Sequence, residues 1–157
     1  MSTQITIYGI NSSGARSGQV TLSAELLPTT VDSQDNTTSI SYNTVIGDFV
    51  DFPIALKRKV IMKWDILSDE QVDTLYYDGL LNIVKTNKRR FFEIVVTGNA
   101  ELNKKIHSIS NNGIFYLGTP VEFSRLSENN GTTFWSGELH FIQQTAYALN
   151  NPTQGIN

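Results

Sequence analysis

The chain of 157 residues has no cysteine, two histidines, two methionines and four prolines. Without cysteine there is no disulfide framework, no thiolate zinc site and no thiol nucleophile. Two histidines leave little for acid–base or metal chemistry. They are His107 and His140, each expected at a polar-facing position of an exposed strand. The apolar runs are only a few residues long, too short for a membrane-spanning helix. The N-terminus, MSTQITIYGI, lacks the basic start and apolar stretch of a secretory signal. The expectation is a protein that begins near Met1, is made in a cytoplasm and has no membrane anchor. At this length a single domain buries roughly 70% of the surface its unfolded chain exposes, so neither a metal nor a disulfide is needed for folding.

Charge is sparse and uneven. The formal net charge is -3. Residues 1–55 carry one Arg against five acids, residues 56–110 ten basic against seven acidic side chains, and residues 111–157 one Arg against three Glu. Acidic ends and a basic middle suit head-to-tail docking of copies, although lysines that merely decorate exposed strand faces give the same count. A net acidic chain is a poor general binder of nucleic acid, because that binding rests on phosphate neutralisation.

Period-two alternation dominates what is present. Gln4–Ile10 and Gly18–Leu27 read as a hairpin joined by the turn-rich NSSGARS. Lys57–Leu67 places Val60, Met62, Trp64 and Ile66 on one face and Lys57, Lys59, Lys63 and Asp65 on the other, interrupted by Ile61. Arg89–Thr97 is apolar on both faces, as a central strand requires. Ile114–Leu117, Val121–Leu126 and Thr133–Thr145 follow, with a weaker strand over Lys104–Ile109. Asn111-Asn112-Gly113 and Glu128–Gly131 read as turns.

One segment has the helical period instead. Ser68 and Gln71 form a capping box, and Asp69 and Glu70 suit the positive end of the helix dipole. Val72, Leu75, Tyr76, Leu80, Ile83 and Val84 make the apolar stripe. Gly79, on or beside that stripe, costs about 1 kcal/mol of helix propensity, so a close approach to a sheet is expected there. Asn87 is expected as the left-handed C-cap.

Residues 28–51 are rich in Ser, Thr, Asp and Asn, with some strand character at Ser39–Tyr42 and Val45–Val50. They read as an extended arm or a long surface loop. Residues 30–44 contain only Val31, Ile40 and Tyr42 as larger apolar side chains, so they are expected to be dispensable for folding. The whole is one β-rich domain over residues 1–149 with a mobile tail over 150–157. The expected fold is mainly β, an antiparallel β-sandwich or barrel of eight or more strands with one flanking α-helix.

No motif carries chemistry. Gly9–Gly14 has the glycine spacing of a phosphate loop but continues as Ala15-Arg16, with no helix behind it. Asp32, Asp35 and Asn36 lack the spacing and terminal Glu of a calcium loop. Asn11, Asn36 and Asn130 begin glycosylation-type triplets that have no meaning without secretion. Lys85, Lys88, Arg89 and Arg90 follow the helix and complement its C-terminus; a patch for an acidic partner surface is the alternative. No catalytic, cofactor-binding or metal-binding residue is expected.

The order KWDILSDEQ, amphipathic helix, RRFFEIVVTG, Gly113–Gly118 with Pro120, and TTFWSGELHFIQQ resembles small tail proteins of long-tailed bacteriophages of Gram-positive hosts. The resemblance covers roughly residues 57–145. It implies a virion structural role, a tail-tube or distal-tail-like fold, and assembly with copies of itself into rings or a tube. It also implies contact with other tail or baseplate proteins, and with translocating DNA without specific nucleic-acid binding. The alternative is a baseplate or receptor- or carbohydrate-binding β-sandwich module, for which the six tyrosines and two tryptophans would supply a sugar platform. An enzyme is not expected.

Overall fold

A computed structural model describes residues 2–43, 45–47, 49–107, 113–143 and 147–148, with the backbone alone defined for 36–43, 49–56 and 147–148. The fold is mainly β, with one main helix against an antiparallel sheet. Among the described residues the sheet has nine strands. They are β1 (Gln4–Ile10), β2 (Arg16–Ser23), β3 (Thr30–Asn43), β4 (Phe49–Ser68), β5 (Phe91–Thr97), β6 (Ile114–Leu117), β7 (Glu122–Asn129), β8 (Thr132–Gln143) and β9 (Tyr147–Ala148). Their order is β2-β1-β5-β6-β8-β4-β3, with β7 on β8 and β9 on β4. Inward side chains from both halves of this path meet in one core: Ile5 and Ile7 of β1, Phe92 and Ile94 of β5, Val60, Met62 and Trp64 of β4, and Leu139 and Phe141 of β8. Single-sheet continuity and a shared core give the sandwich-like arrangement of two apolar faces packed on each other.

The helix spans residues 69–87 and starts as the sequence predicts. Ser68 Oγ accepts from the Gln71 amide at 3.3 Å, and Gln71 Oε1 accepts from the Ser68 amide at 2.9 Å. Its middle, Asp73–Leu80, is π-helical. At about 3.6 residues per turn Leu80 would turn well away from Leu75. The wider i→i+5 turn brings both toward one face, and both are fully buried. Gly79 is buried, and a Cβ there would lie 2.8 Å from Val20 Cγ2 of β2. The expected close approach is thus present, and it fixes the helix on the β1–β2 half.

Four local expectations are overturned. Beyond Ser23 the second strand gives way to a 3₁₀ turn, Ala24–Leu26, entered through Ala24 at φ 50. In β4 the pairs Trp64↔Gly137 and Leu67↔Trp135 leave one extra residue on β4. This bulge reverses the facing, so Ile66 is 60% exposed and Leu67 is buried. The left-handed C-cap is Lys88, at φ 56, not Asn87. Asn87 Nδ2 instead donates to Ser17 O at 3.0 Å, tying the helix end to β2. Finally, Ala100–Ile106 is a second, short helix where a weak strand over Lys104–Ile109 was expected. Asn99 Oδ1 caps it by accepting from the Leu102 amide at 3.0 Å, and Lys104 and Lys105 suit its last turn.

The polar stretch after Pro28 is not a loop. β3 and β4 pair continuously from Thr30↔Lys63 to Asn43↔Phe49. The first part is structural: Val31 belongs to the core, so residues 30–44 are not all outside the folded domain. From Ser39↔Pro53 to Asn43↔Phe49 the two strands pair only with each other among the described residues. Five rungs at about 3.4 Å each extend the ladder by roughly 17 Å. Pro53 lies at the register shift between Thr38 and Ser39, where a missing N–H is tolerated. Residues 150–157, expected as a tail, and Asn111-Asn112 of the expected turn lie outside the described residues.

Candidate interaction surfaces

Three surfaces stand out. The first is the β3–β4 hairpin. Its base is held by Arg58, which is 9% exposed. Asp35 and Arg58 are directly opposite on the ladder. Arg58 Nε and Nη2 donate to the two Asp35 carboxylate oxygens, each at 2.6 Å, and Nη1 donates to Lys105 O at 2.7 Å. The Arg58 amide donates to Gln143 Oε1 at 3.1 Å. One side chain therefore joins β3 to the carbonyl end of the short helix, and its backbone joins β8. A bidentate guanidinium–carboxylate pair is directional as well as strong, so it fastens the two strands to each other at the base of the hairpin. At the far end Val45 and Ile46 are 106% and 85% exposed. Two bare aliphatic side chains at a hairpin tip, with strand edges behind them that are unpaired among the described residues, form a surface suited to pairing with another chain.

The second surface is a cavity of about 260 Å³ at the start of the long helix, lined by Asp69, Val72, Asp73, Tyr77, Phe123 and Trp135. Asp69 Oδ1 accepts from Trp135 Nε1 at 2.6 Å and Oδ2 from the Thr133 amide at 3.1 Å. This bond locks the half-buried indole as one wall. Tyr76, Tyr77 and Phe123 pack with ring centroids 5.1 to 6.4 Å apart. Tyr77 is half exposed, and burial, then the neighbouring Tyr77 phenol, raises the Tyr76 pKa above its ordinary value. Trp64, by contrast, is buried in the core, with Nε1 donating to Leu26 O at 2.8 Å. Only Trp135 of the two tryptophans is available to a ligand.

The third is a groove of about 440 Å³ on the outer face of β4, β8 and β7, lined among others by Lys63, Asp65, Glu122, Ser136, Glu138 and His140. His140 Nε2 lies 2.5 Å from Glu138 Oε1. The strand expected over Thr133–Thr145 already puts Glu138 and His140 on one face; the contact between their side chains is what the structure adds. Ser136 is on the same face but four residues from His140, roughly 13 Å along the strand. That distance is too great for the hydrogen bond a nucleophile and its base require.

The remaining candidates are placed as follows. His107 is not an exposed strand residue: it ends the short helix, is buried, has Nε2 2.6 Å from Ile94 O, and packs edge-on against Phe115. The Gly9–Gly14 segment is the end of β1 and the start of the β1–β2 turn, in which Asn11 Oδ1 accepts from the amides of Ser13 and Ala15. Asp32 and Asp35 lie on strand β3, not in a loop. Among the described residues no group of three or more His, Cys, Asp or Glu is placed to hold a metal ion. Asn130 is the left-handed first residue of the tight β7–β8 turn, followed by Gly131 at φ 81. Of the basic cluster, Lys85, Lys88 and Arg90 are exposed, whereas Arg89 Nη1 donates to Asn11 O at 2.6 Å and its guanidinium lies over the Phe91 ring. No helix of the described residues is long and apolar enough to cross a membrane.

No protein-family model matches the chain, and no curated protein matches it in sequence. The bonds of Asp35 to Arg58 and of Asp69 to Trp135 are what the sequence does not reveal. Each aspartate is an ordinary charged residue whose role comes from a partner 23 or more positions away.

Proposed function

We propose that this protein is a structural subunit of a bacteriophage tail that assembles with copies of itself into rings or a tube and resides in the virion. The observation that carries the reading is the β3–β4 hairpin. Among the described residues it runs five rungs past its last flanking strand, is anchored at its base by the Arg58–Asp35 pair, and ends in exposed Val45 and Ile46. A ladder of this kind can add strands to a neighbour through main-chain hydrogen bonds, with the apolar tip entering a pocket. Other tail or baseplate proteins are the further partners. Translocating DNA would meet a net acidic chain, which opposes tight or sequence-specific binding.

A second function, a receptor- or carbohydrate-binding module, is favoured by one feature, the half-buried Trp135 beside the exposed Tyr77. Mass photometry and negative-stain microscopy of the purified protein distinguish the two. Rings or short tubes that grow with concentration support the tail subunit. A strict monomer at every concentration that binds immobilised glycans rejects it in favour of the module.

A further inference from the structure

The two ends of the long helix differ in more than charge. Its start carries the aromatic cavity beside Asp69 and Asp73. Its end carries exposed Lys85 and Lys88, with Arg90 close behind. Helix electrostatics alone account for acids at one end and cations at the other. They do not account for half-buried Trp135 and Phe123 and exposed Tyr77 walling a cavity next to the acids. Aromatic faces with a carboxylate beside them are a receptor for a cation: the ring quadrupole attracts the charge and the carboxylate neutralises it. Asp69 is already committed to Trp135 and Thr133, and among the described residues exposed Asp73 is the other carboxylate lining the cavity.

We infer that the cavity receives a basic side chain from the C-terminal end of the same helix in a second copy of this chain. The two complementary patches are separated by the helix length, roughly 25 Å for a segment of this size, so one molecule does not satisfy itself. The contact is heterologous: cavity of one copy, basic end of the next. Such contacts propagate head to tail and close into a ring where the rotation allows. This rests on the self-assembly proposed above and adds which surfaces meet. It is independent of the hairpin, which lies at another edge of the sheet.

The test is a charge swap. Asp73→Lys, Lys88→Glu, the double variant and an equimolar mixture of the two single variants are compared with the wild type by sedimentation velocity and mass photometry. Circular dichroism verifies folding. Each single variant should weaken association about tenfold or more, as loss of a desolvated cation–aromatic contact with reversed charge implies. The double variant and the mixture should recover most of it, and added salt should weaken the wild type. Tyr77→Ala should weaken association without affecting the fold. If Lys88→Glu perturbs folding through its left-handed backbone, Lys85→Glu replaces it. Single variants that associate like the wild type, or a mixture that stays apart, overturn the inference while leaving self-assembly standing. So does Tyr77→Ala that loses glycan binding yet associates normally. A wild type that never associates overturns the assembly reading itself, and this contact with it.

Discussion

Arg58 and Asp35 face each other across the β3–β4 ladder, and two guanidinium nitrogens meet two carboxylate oxygens at 2.6 Å each. The pair is asymmetric: the Arg58 side chain is 11% exposed and that of Asp35 37%. Removing the acid leaves a nearly buried cation with only carbonyl partners, a more damaging state than replacing both with apolar groups. Asp35→Asn should therefore destabilise the fold by about 1–3 kcal/mol, less than for a fully buried pair because water reaches the Asp35 side. An Asp35→Leu/Arg58→Met double variant should lose less than Asp35→Asn alone. Urea denaturation of the three proteins checks this, and equal losses would mean that the pair is solvated in solution.

Cutting the hairpin at two places should give opposite results. Replacing residues 39–54 by Asn-Gly closes the ladder at Thr38↔Ala55 with a favourable two-residue turn. That variant should keep its circular dichroism spectrum and melting temperature while ring or tube formation falls. Deleting residues 30–44 removes Val31 from the core and the partner of Arg58 and should prevent folding. A trimmed variant that assembles normally would remove the hairpin from the proposed interface.

Gly79→Ala gains helix propensity of about 1 kcal/mol, yet the new Cβ would sit 2.8 Å from Val20 Cγ2 and 2.5 Å from Thr74 O. Overpacking of this kind costs about 1–3 kcal/mol, so the net change should be destabilising. A higher melting temperature for the variant would show that the helix can lift from β2 without loss.

Alkaline pH should weaken the fold through Tyr76. Burial, then Tyr77, raises its pKa above the ordinary 10.0. The folded protein then holds a proton that the unfolded chain has released. The contribution is complete below the ordinary tyrosine value and is lost as pH rises through the folded value. Urea midpoints measured from about pH 8.5 to 11 should fall at the top of this range, and Tyr76→Phe should flatten that fall. A Tyr76→Phe protein with the same alkaline slope would assign it to other groups.

What the sequence by itself determined is what depends on near neighbours. The start of the long helix follows from Ser68 and Gln71, three residues apart and bonded to each other. The Asn130-Gly131 turn follows from two residues that tolerate positive φ. The alternation in β1, β5 and β6 separates buried from half-buried side chains because the strand period is two. Only the tertiary structure decided that Leu67, not Ile66, faces the core, since the bulge exists relative to β8. The same holds for the short helix, whose apolar content is too small to announce it and which is held by Asn99 and by Ile106 in the core. It holds above all for the candidate surfaces. Asp35 meets Arg58 through strand register, and Asp69 meets Trp135 across 66 residues. A polar residue carries the same letter whether water or a distant partner satisfies it. A hydrogen bond inside a recognised local motif, as at Ser68 and Gln71, can be read along the chain, and one closed by folding cannot.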